Sequence, residues 1–128
     1  MNEVVLDASA ILAVIFQERG AEKMTAEFLD HAVVSTVNLA EVQTKLIKKG
    51  YDPEGAWEDA RSFVSVMELF TSDHARIAGD LILQTESRGL SLGDRCCLAL
   101  GIALQAPVYT TERVWKDLRV GVPIHVIR

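Results

Sequence analysis

Apolar positions along the chain fall into two alternating kinds of segment. Short β-branched runs, VVL at 4–6, AVVS at 32–35, VYT at 108–110 and IHVI at 124–127, are separated by long stretches whose apolar residues recur at helical spacing. VMELF at 66–70 is a weaker fifth run. The runs show little polar alternation, as expected of strands covered on both faces. Their alternation with helices predicts an α/β fold, a three-layer α/β/α sandwich around a central parallel sheet of four to five strands.

Punctuation divides the helical stretches. Ser9 can cap a first helix that carries Ile11, Leu12, Ile15 and Phe16 and ends near Gly20, and Met24 and Phe28 mark a second. Thr36 or Asn38 opens a helix that closes at Gly50. Asp52-Pro53 supplies an N-cap with proline at the first helical position, ahead of Trp57, Ala60, Phe63 and Val64. Asp73 caps the next helix, with Ile77, Ala78, Leu81 and Ile82 along one side and Gly89 as its stop. The last long helix begins around Asp94 and ends before Pro107, and a short one follows Thr111.

Composition narrows this picture. A length of 128 residues suits a single domain over 1–128, and 49% hydrophobic with 24% charged residues excludes disorder. No apolar run approaches the roughly 20 residues of a bilayer span. The N-terminus, MNEVVLDASAILAVIF, carries Glu3 and Asp7 and lacks the positive region of a signal peptide. Adjacent Cys96 and Cys97 lack zinc-knuckle or redox-pair spacing and read as buried thiols, so a cytoplasmic protein is expected. A net charge of -5 argues against holding nucleic acid by a basic surface alone. An enzyme acting on nucleic acid would then need bound cations.

Four acids fall where such a fold places its ligands. Asp7 follows the first strand, Glu41 lies early in the helix after the second, Asp94 opens a helix, and Glu112 follows the strand at 108–110. In a parallel α/β sheet these positions lie at or near the carboxyl ends of strands. Clustered carboxylates repel one another unless a cation is present, and oxygen-only ligands select a hard ion such as Mg²⁺. Metal-assisted phosphodiester cleavage uses that arrangement. Each acid also has a structural reading. Asp7 could cap the first helix, although Ser9 is available for that. Glu41 could pair with Lys45, Asp94 after Gly93 could be an N-cap, and Glu112 could favour a helix dipole. The four together carry the functional reading.

The opening VVLDASAIL, the central STVNLAEV, the segment GLSLGDRCCLAL and the late VYTTERVW resemble the PIN-domain ribonuclease toxins of VapC type, in the expected order through nearly the whole chain. The resemblance implies a PIN-like fold and an Mg²⁺- or Mn²⁺-dependent endoribonuclease. By position it implies that Asp7, Glu41 and Asp94 hold metal and that the Ser9 hydroxyl lies near the site. Glu112 stands where the family usually has Asp, in a pattern like T-x-D-R-x-W, and Asp117 is a weaker substitute. The resemblance also implies a cognate antitoxin that wraps the toxin, an RNA substrate, and a homodimer. Ile15, Phe16, Met24 and Phe28 are candidate antitoxin contacts, with core packing as the commoner fate of such a stripe.

Candidates for holding substrate phosphates are Arg88, Arg95 and Arg113; the last two immediately follow proposed ligands, but each could instead pair with a nearby carboxylate. Lys45, Lys48 and Lys49 form a basic stretch toward a helix end, where positive charge is ordinary. Trp57 and Trp115 have apolar helical neighbours and read as structural, and neither His74 nor His125 has a catalytic partner in the sequence. Two other readings compete. One is a catalytically silent PIN-like module acting through an antitoxin in a DNA-bound regulatory complex. The other is a phosphoryl-transfer domain of receiver type, which also places Asp after its first strand but generally uses a late Lys where this chain has Thr110, Thr111 and Glu112.

Overall fold

The computed structural model describes residues 2–128. Five short strands, β1 (Val4–Leu6), β2 (Ala32–Ser35), β3 (Val66–Glu68), β4 (Val108–Thr110) and β5 (Ile124–Val126), form a parallel sheet in the order β3-β2-β1-β4-β5. The helices are α1 (Ala8–Ile15), α2 (Ala26–Leu29), α3 (Thr36–Lys48), α4 (Pro53–Arg61), α5 (Ser72–Asp80), α6 (Ile82–Thr85) and α7 (Leu92–Leu104). The fold is the predicted parallel α/β sandwich. Among the described residues no helix is long and apolar enough to cross a membrane.

The pleat of β1 explains the layers. Val4 and Leu6 point to one face and pack with Ile11 of α1, Leu39, Val42 and Leu46 of α3, and Ala56 and Ala60 of α4. Val5 points to the other face, with Val33, Val108, and Cys97, Leu98 and Leu100 of α7. Both faces of the central strand are thus covered, which is why its sequence is an unbroken apolar run. Gly101 lets α7 approach β4: a Cβ there would overlap Val108 Cγ2 and lie 3.2 Å from the Ala106 carbonyl oxygen. Met24 and Phe28 are buried in the first layer with Ile15 and Phe16 packed against them, so this stripe serves the core.

The order of strands fixes where a ligand can sit. The chain steps outward from β1 to β2 to β3, then returns to the opposite side of β1 with β4 and β5. The direction of winding therefore reverses between β1 and β4, and open parallel sheets form their ligand crevice at the carboxyl ends flanking such a reversal. Asp7 ends β1 and Thr110 ends β4.

Several helix starts differ from expectation. The cap of α1 is Asp7, whose Oδ1 accepts from the Ala10 N–H at 2.8 Å, while Ser9 lies inside the helix. Asp7 is therefore not surplus to capping. Ser91, rather than Asp94, caps α7, and Asp94 closes a capping box by accepting the Ser91 N–H at 2.9 Å. Thr71 rather than Asp73 caps α5, and Ser35 precedes Thr36 as the cap of α3. The α5 stretch also breaks into α6 and a 3-10 turn (Glu86–Arg88) before Gly89, which does take the left-handed conformation expected of a stop. The first helix ends at Ile15, well before Gly20, and β3 covers only the first three residues of VMELF.

Candidate active site

Asp7 is the centre of a dense hydrogen-bond network at the switch point. Its side chain is 3% exposed and accepts from Thr110 Oγ1 at 2.6 Å, Ser9 Oγ at 2.7 Å and the Ala10 N–H. The two hydroxyls are held in turn: the Thr111 N–H donates to Ser9 Oγ and the Glu112 N–H to Thr110 Oγ1, both at 3.0 Å. The loop after β4 thereby fixes the carboxylate at the end of β1. Burial pushes Asp7 up from 3.8 to about 6. Hydrogen bonds from Thr110, Ala10 and Ser9 oppose that rise, and the charge of Asp94 adds to it. Among the described residues no cationic side chain forms an ion pair with Asp7.

Glu41 reaches the same region from α3. Asn38, one turn earlier, donates through Nδ2 to Glu41 Oε1 at 2.8 Å and to the Gly93 carbonyl oxygen at 2.9 Å, clamping α3 to the first turn of α7. The Asn38 Oδ1 is buried without a hydrogen-bond partner. Flipping the amide would set an oxygen against the two acceptors, so the orphaned oxygen belongs to the arrangement. Gly93 makes room: a Cβ there would lie 2.6 Å from Glu41 Cδ and 2.8 Å from Oε1.

The charges of Asp7, Asp94 and Glu41 are all felt at one buried side chain. The Cys97 thiol is raised well above its ordinary value, first by burial and then by the charges of these three carboxylates. Cys96 and Cys97 are free and buried, as the sequence suggested. Glu41 lies against Gly93, the residue before Asp94, but among the described residues no three acidic, His or Cys side chains are close enough to enclose an ion. Asp94 is turned to its capping box and Glu41 to Asn38.

The other sequence-selected residues have partners of their own. Glu112 is exposed and faces a cavity with Ser9, Lys45, Lys49 and Arg128. Arg95 donates through Nη1 to the Ala78 carbonyl oxygen of α5 at 2.8 Å, with its Nε buried and unpartnered. Neighbours in a helix do not share a face, so following Asp94 in sequence does not aim Arg95 at the site. Arg113 donates through Nε to the Arg128 carbonyl oxygen, and Arg88 to that of Val114. Trp115 is fully buried, and His74 serves the capping box of α5. Sequence reasoning passed over Asn38 and Gly93 as parts of the site. The only signal for Asn38 was its position three residues before Glu41.

The donor chemistry fits a hard divalent cation. Asp7, Glu41 and Asp94 offer carboxylate oxygens, and the buried Asp7 has no ion-pair partner among the described residues, while burial holds the Cys97 thiol in its protonated, poorly ligating form.

A model of the PIN domain matches residues 4–120. No curated protein matches the chain by sequence. Among solved structures, DNA-bound VapBC from Salmonella typhimurium is similar at TM-score 0.75 and 16% identity, covering 97% of each chain. The Mycobacterium tuberculosis toxin VapC20, described as cleaving the sarcin-ricin loop, is similar at TM-score 0.72 and 19% identity, covering 87% of this chain and 91% of that one. VapBC2 from Rickettsia felis, bound to a promoter DNA fragment, is similar at TM-score 0.70 and 20% identity, covering 94% and 96%. At these identities the likeness is one of fold.

Proposed function

The chain belongs to the PIN domain family, and from that premise we propose that it is a divalent-metal-dependent endoribonuclease, the toxin of a toxin–antitoxin pair. The observation that carries this reading is Asp7, a buried carboxylate at the topological switch point with no ion-pair partner among the described residues, while Glu41 is held against Gly93 beside Asp94 at the start of α7. Asp7, Asp94 and Glu41 would hold the ion, Mg²⁺ or Mn²⁺, and Glu112 would contribute as an outer acid from the loop after β4. When bound, such an ion acidifies an attacking water and offsets charge on the phosphate and leaving oxygen.

The remaining work falls to the chain. Ser9 and Thr110 hold Asp7 in one orientation, so its oxygens do not reorganise when substrate arrives. Asn38 sets the reach of Glu41 toward the first turn of α7. The α7 N-terminus adds its dipole, which favours negative charge nearby. Lys45, Lys49 and Arg128, in the cavity that Ser9 also lines, offer phosphate contacts next to the acids. Single-stranded or looped RNA is the expected substrate, because its backbone is accessible to a cleft.

The solved neighbours include VapBC complexes bound to DNA. By analogy, the partner proposed for this chain is a small antitoxin, with the toxin as a homodimer and the 128-residue chain acting in the cytoplasm as one nuclease unit. The alternative of a silent interaction module draws on one observation, that no three acids enclose an ion among the described residues.

One assay separates these readings. Purified wild type is expected to cut single-stranded RNA in Mg²⁺ and to stop in EDTA. Asp94→Asn is expected to cut at least about a hundredfold more slowly, the order lost with one electrostatic group at such a site. An amide oxygen still accepts the Ser91 N–H, so circular dichroism and thermal midpoint should hold. Wild-type protein that leaves RNA intact in both metals, or Asp94→Asn that cuts at the wild-type rate, contradicts the assignment.

A further inference from the structure

Three of the 13 Lys and Arg side chains of this acidic protein meet at one cavity. A cavity of about 430 Å³ at the β5 edge is lined by Arg113, Lys116, Ile124, His125, Val126 and Arg128, so three cationic side chains, one imidazole and no acidic side chain line it. Neither Arg113 nor Lys116 forms an ion pair among the described residues. Arg128 pairs with Glu18 at 3.2 Å, but partly exposed pairs of this kind contribute little. The Arg113 Nε is anchored on the Arg128 carbonyl oxygen at 3.3 Å, which orients the guanidinium.

This cavity shares a lining residue with a second one that lies beside Ser9. Arg128 also lines the neighbouring cavity that holds Ser9, Lys45, Lys49 and Glu112, and Ser9 bonds directly to Asp7. β5 is two strands from β1, roughly 10 Å at a strand spacing of about 4.8 Å. Lys116 and Arg113 follow β4, and Arg128 follows β5, so they share the carboxyl rim of the sheet with Asp7.

An aromatic pair completes the setting. The exposed His125 imidazole stacks on Tyr109, with ring centroids 4.6 Å apart and an interplanar angle of 24°, and Phe28 braces Tyr109 edge-on at 4.9 Å. A fixed, exposed ring beside clustered cations suits a nucleotide, which presents a phosphate and a flat base together. An acidic peptide would use the cations and leave the ring without a role.

We propose that this cavity is a subsite for the RNA backbone, in which Arg113, Lys116 and Arg128 receive a phosphate flanking the cleaved bond and His125 stacks with an adjacent base. The inference rests on the endoribonuclease reading and extends it to how the strand is held. It also gives an acidic chain a local cationic contact for a polyanion.

The test is fluorescence anisotropy of a labelled oligouridylate binding to the full chain in EDTA, so that cleavage does not intervene. Arg113 and Lys116 are exposed, and the double variant Arg113→Gln, Lys116→Gln should fold normally. Its affinity is expected to fall roughly tenfold, and the slope of log affinity against log salt to shrink by about 0.7, the value for one phosphate contact. His125→Ala is expected to weaken binding about tenfold with the slope unchanged, as loss of stacking does. Unchanged affinity and slope in the double variant, with wild type cutting RNA in Mg²⁺, overturns the subsite and leaves the nuclease reading standing. Stronger displacement of the RNA by polyglutamate than by unlabelled oligouridylate assigns the cavity to an acidic peptide and also overturns it. Wild type that neither binds nor cuts the RNA removes both readings.

Discussion

Asp7→Asn is expected to abolish RNA cleavage while making the metal-free protein more stable at neutral pH. Its carboxyl is pushed from 3.8 to about 6 by burial, so above pH 6 the folded state holds a desolvated anion. Because the folded value lies above the unfolded one, Asp7 favours folding fully below about pH 3.8, and that contribution is lost as pH rises through about 6. The displacement corresponds to about 3 kcal/mol. Asn keeps the acceptor for the Ala10 N–H and can meet the Ser9 and Thr110 hydroxyls by rotation of their hydrogens. A gain of about 1–3 kcal/mol is expected at pH 7.5 in EDTA, read by calorimetric unfolding, and should vanish near pH 4. Excess Mg²⁺ should stabilise wild type at pH 7.5, by up to about 2.7 kcal/mol at a hundredfold excess over its dissociation constant, and leave the variant unaffected. A variant less stable than wild type at pH 7.5 in EDTA would remove the case for Asp7 as a carboxylate awaiting a cation.

Gly93→Ala is expected to cost activity without costing stability. Gly93 is the second residue of α7, and alanine is the better helix former by up to about 1 kcal/mol. The added Cβ would lie 2.6 Å from Glu41 Cδ, and what it meets is the far end of a flexible side chain, so the carboxylate moves rather than the backbone. Glu41 is thereby expelled from the position that Asn38 gives it. Metal affinity should fall roughly 10- to 100-fold, the scale seen when a metal site's supporting geometry is disturbed. Calorimetric titration with Mg²⁺ reads the affinity, and thermal unfolding in EDTA reads the stability. Equal metal affinity in the variant and wild type would exclude Glu41 from the site.

These two residues also mark how far the sequence could be read. The β-branched runs and helical stretches predict the parallel sandwich because both faces of its central strands are covered, which leaves an unbroken apolar signature at Val4–Leu6 and Ala32–Ser35. Asp7 was legible as an acid ending a buried strand. Its second role as helix cap was misassigned to Ser9, since either side chain can cap and only backbone geometry chooses between them. The Ser91 to Asp94 spacing is that of a capping box, a local signal that was available and passed over.

What was hidden depends on contacts between distant segments. Asn38 and Gly93 meet only because α3 and α7 pack together, and no local pattern announces that approach. Arg95 and Arg113 were placed by adjacency to acids, whereas helix rotation carries Arg95 to α5 and the turn after β4 carries Arg113 to the β5 edge. The same turn carries Glu112 into the cavity lined by Ser9, Lys45 and Lys49, with its N–H on Thr110 Oγ1, a link to Asp7 that only the fold reveals.

If Asp7, Asp94 and Glu41 together hold a divalent ion, the anomalous difference map of a crystal of this protein soaked in Mn²⁺ should show a peak within coordination distance of Asp7 and Asp94 at the β1–β4 switch point, with the Glu41 carboxylate turned toward it from Asn38. A fully soaked crystal with no peak there, or with Mn²⁺ bound only at other acids, would contradict that shared role.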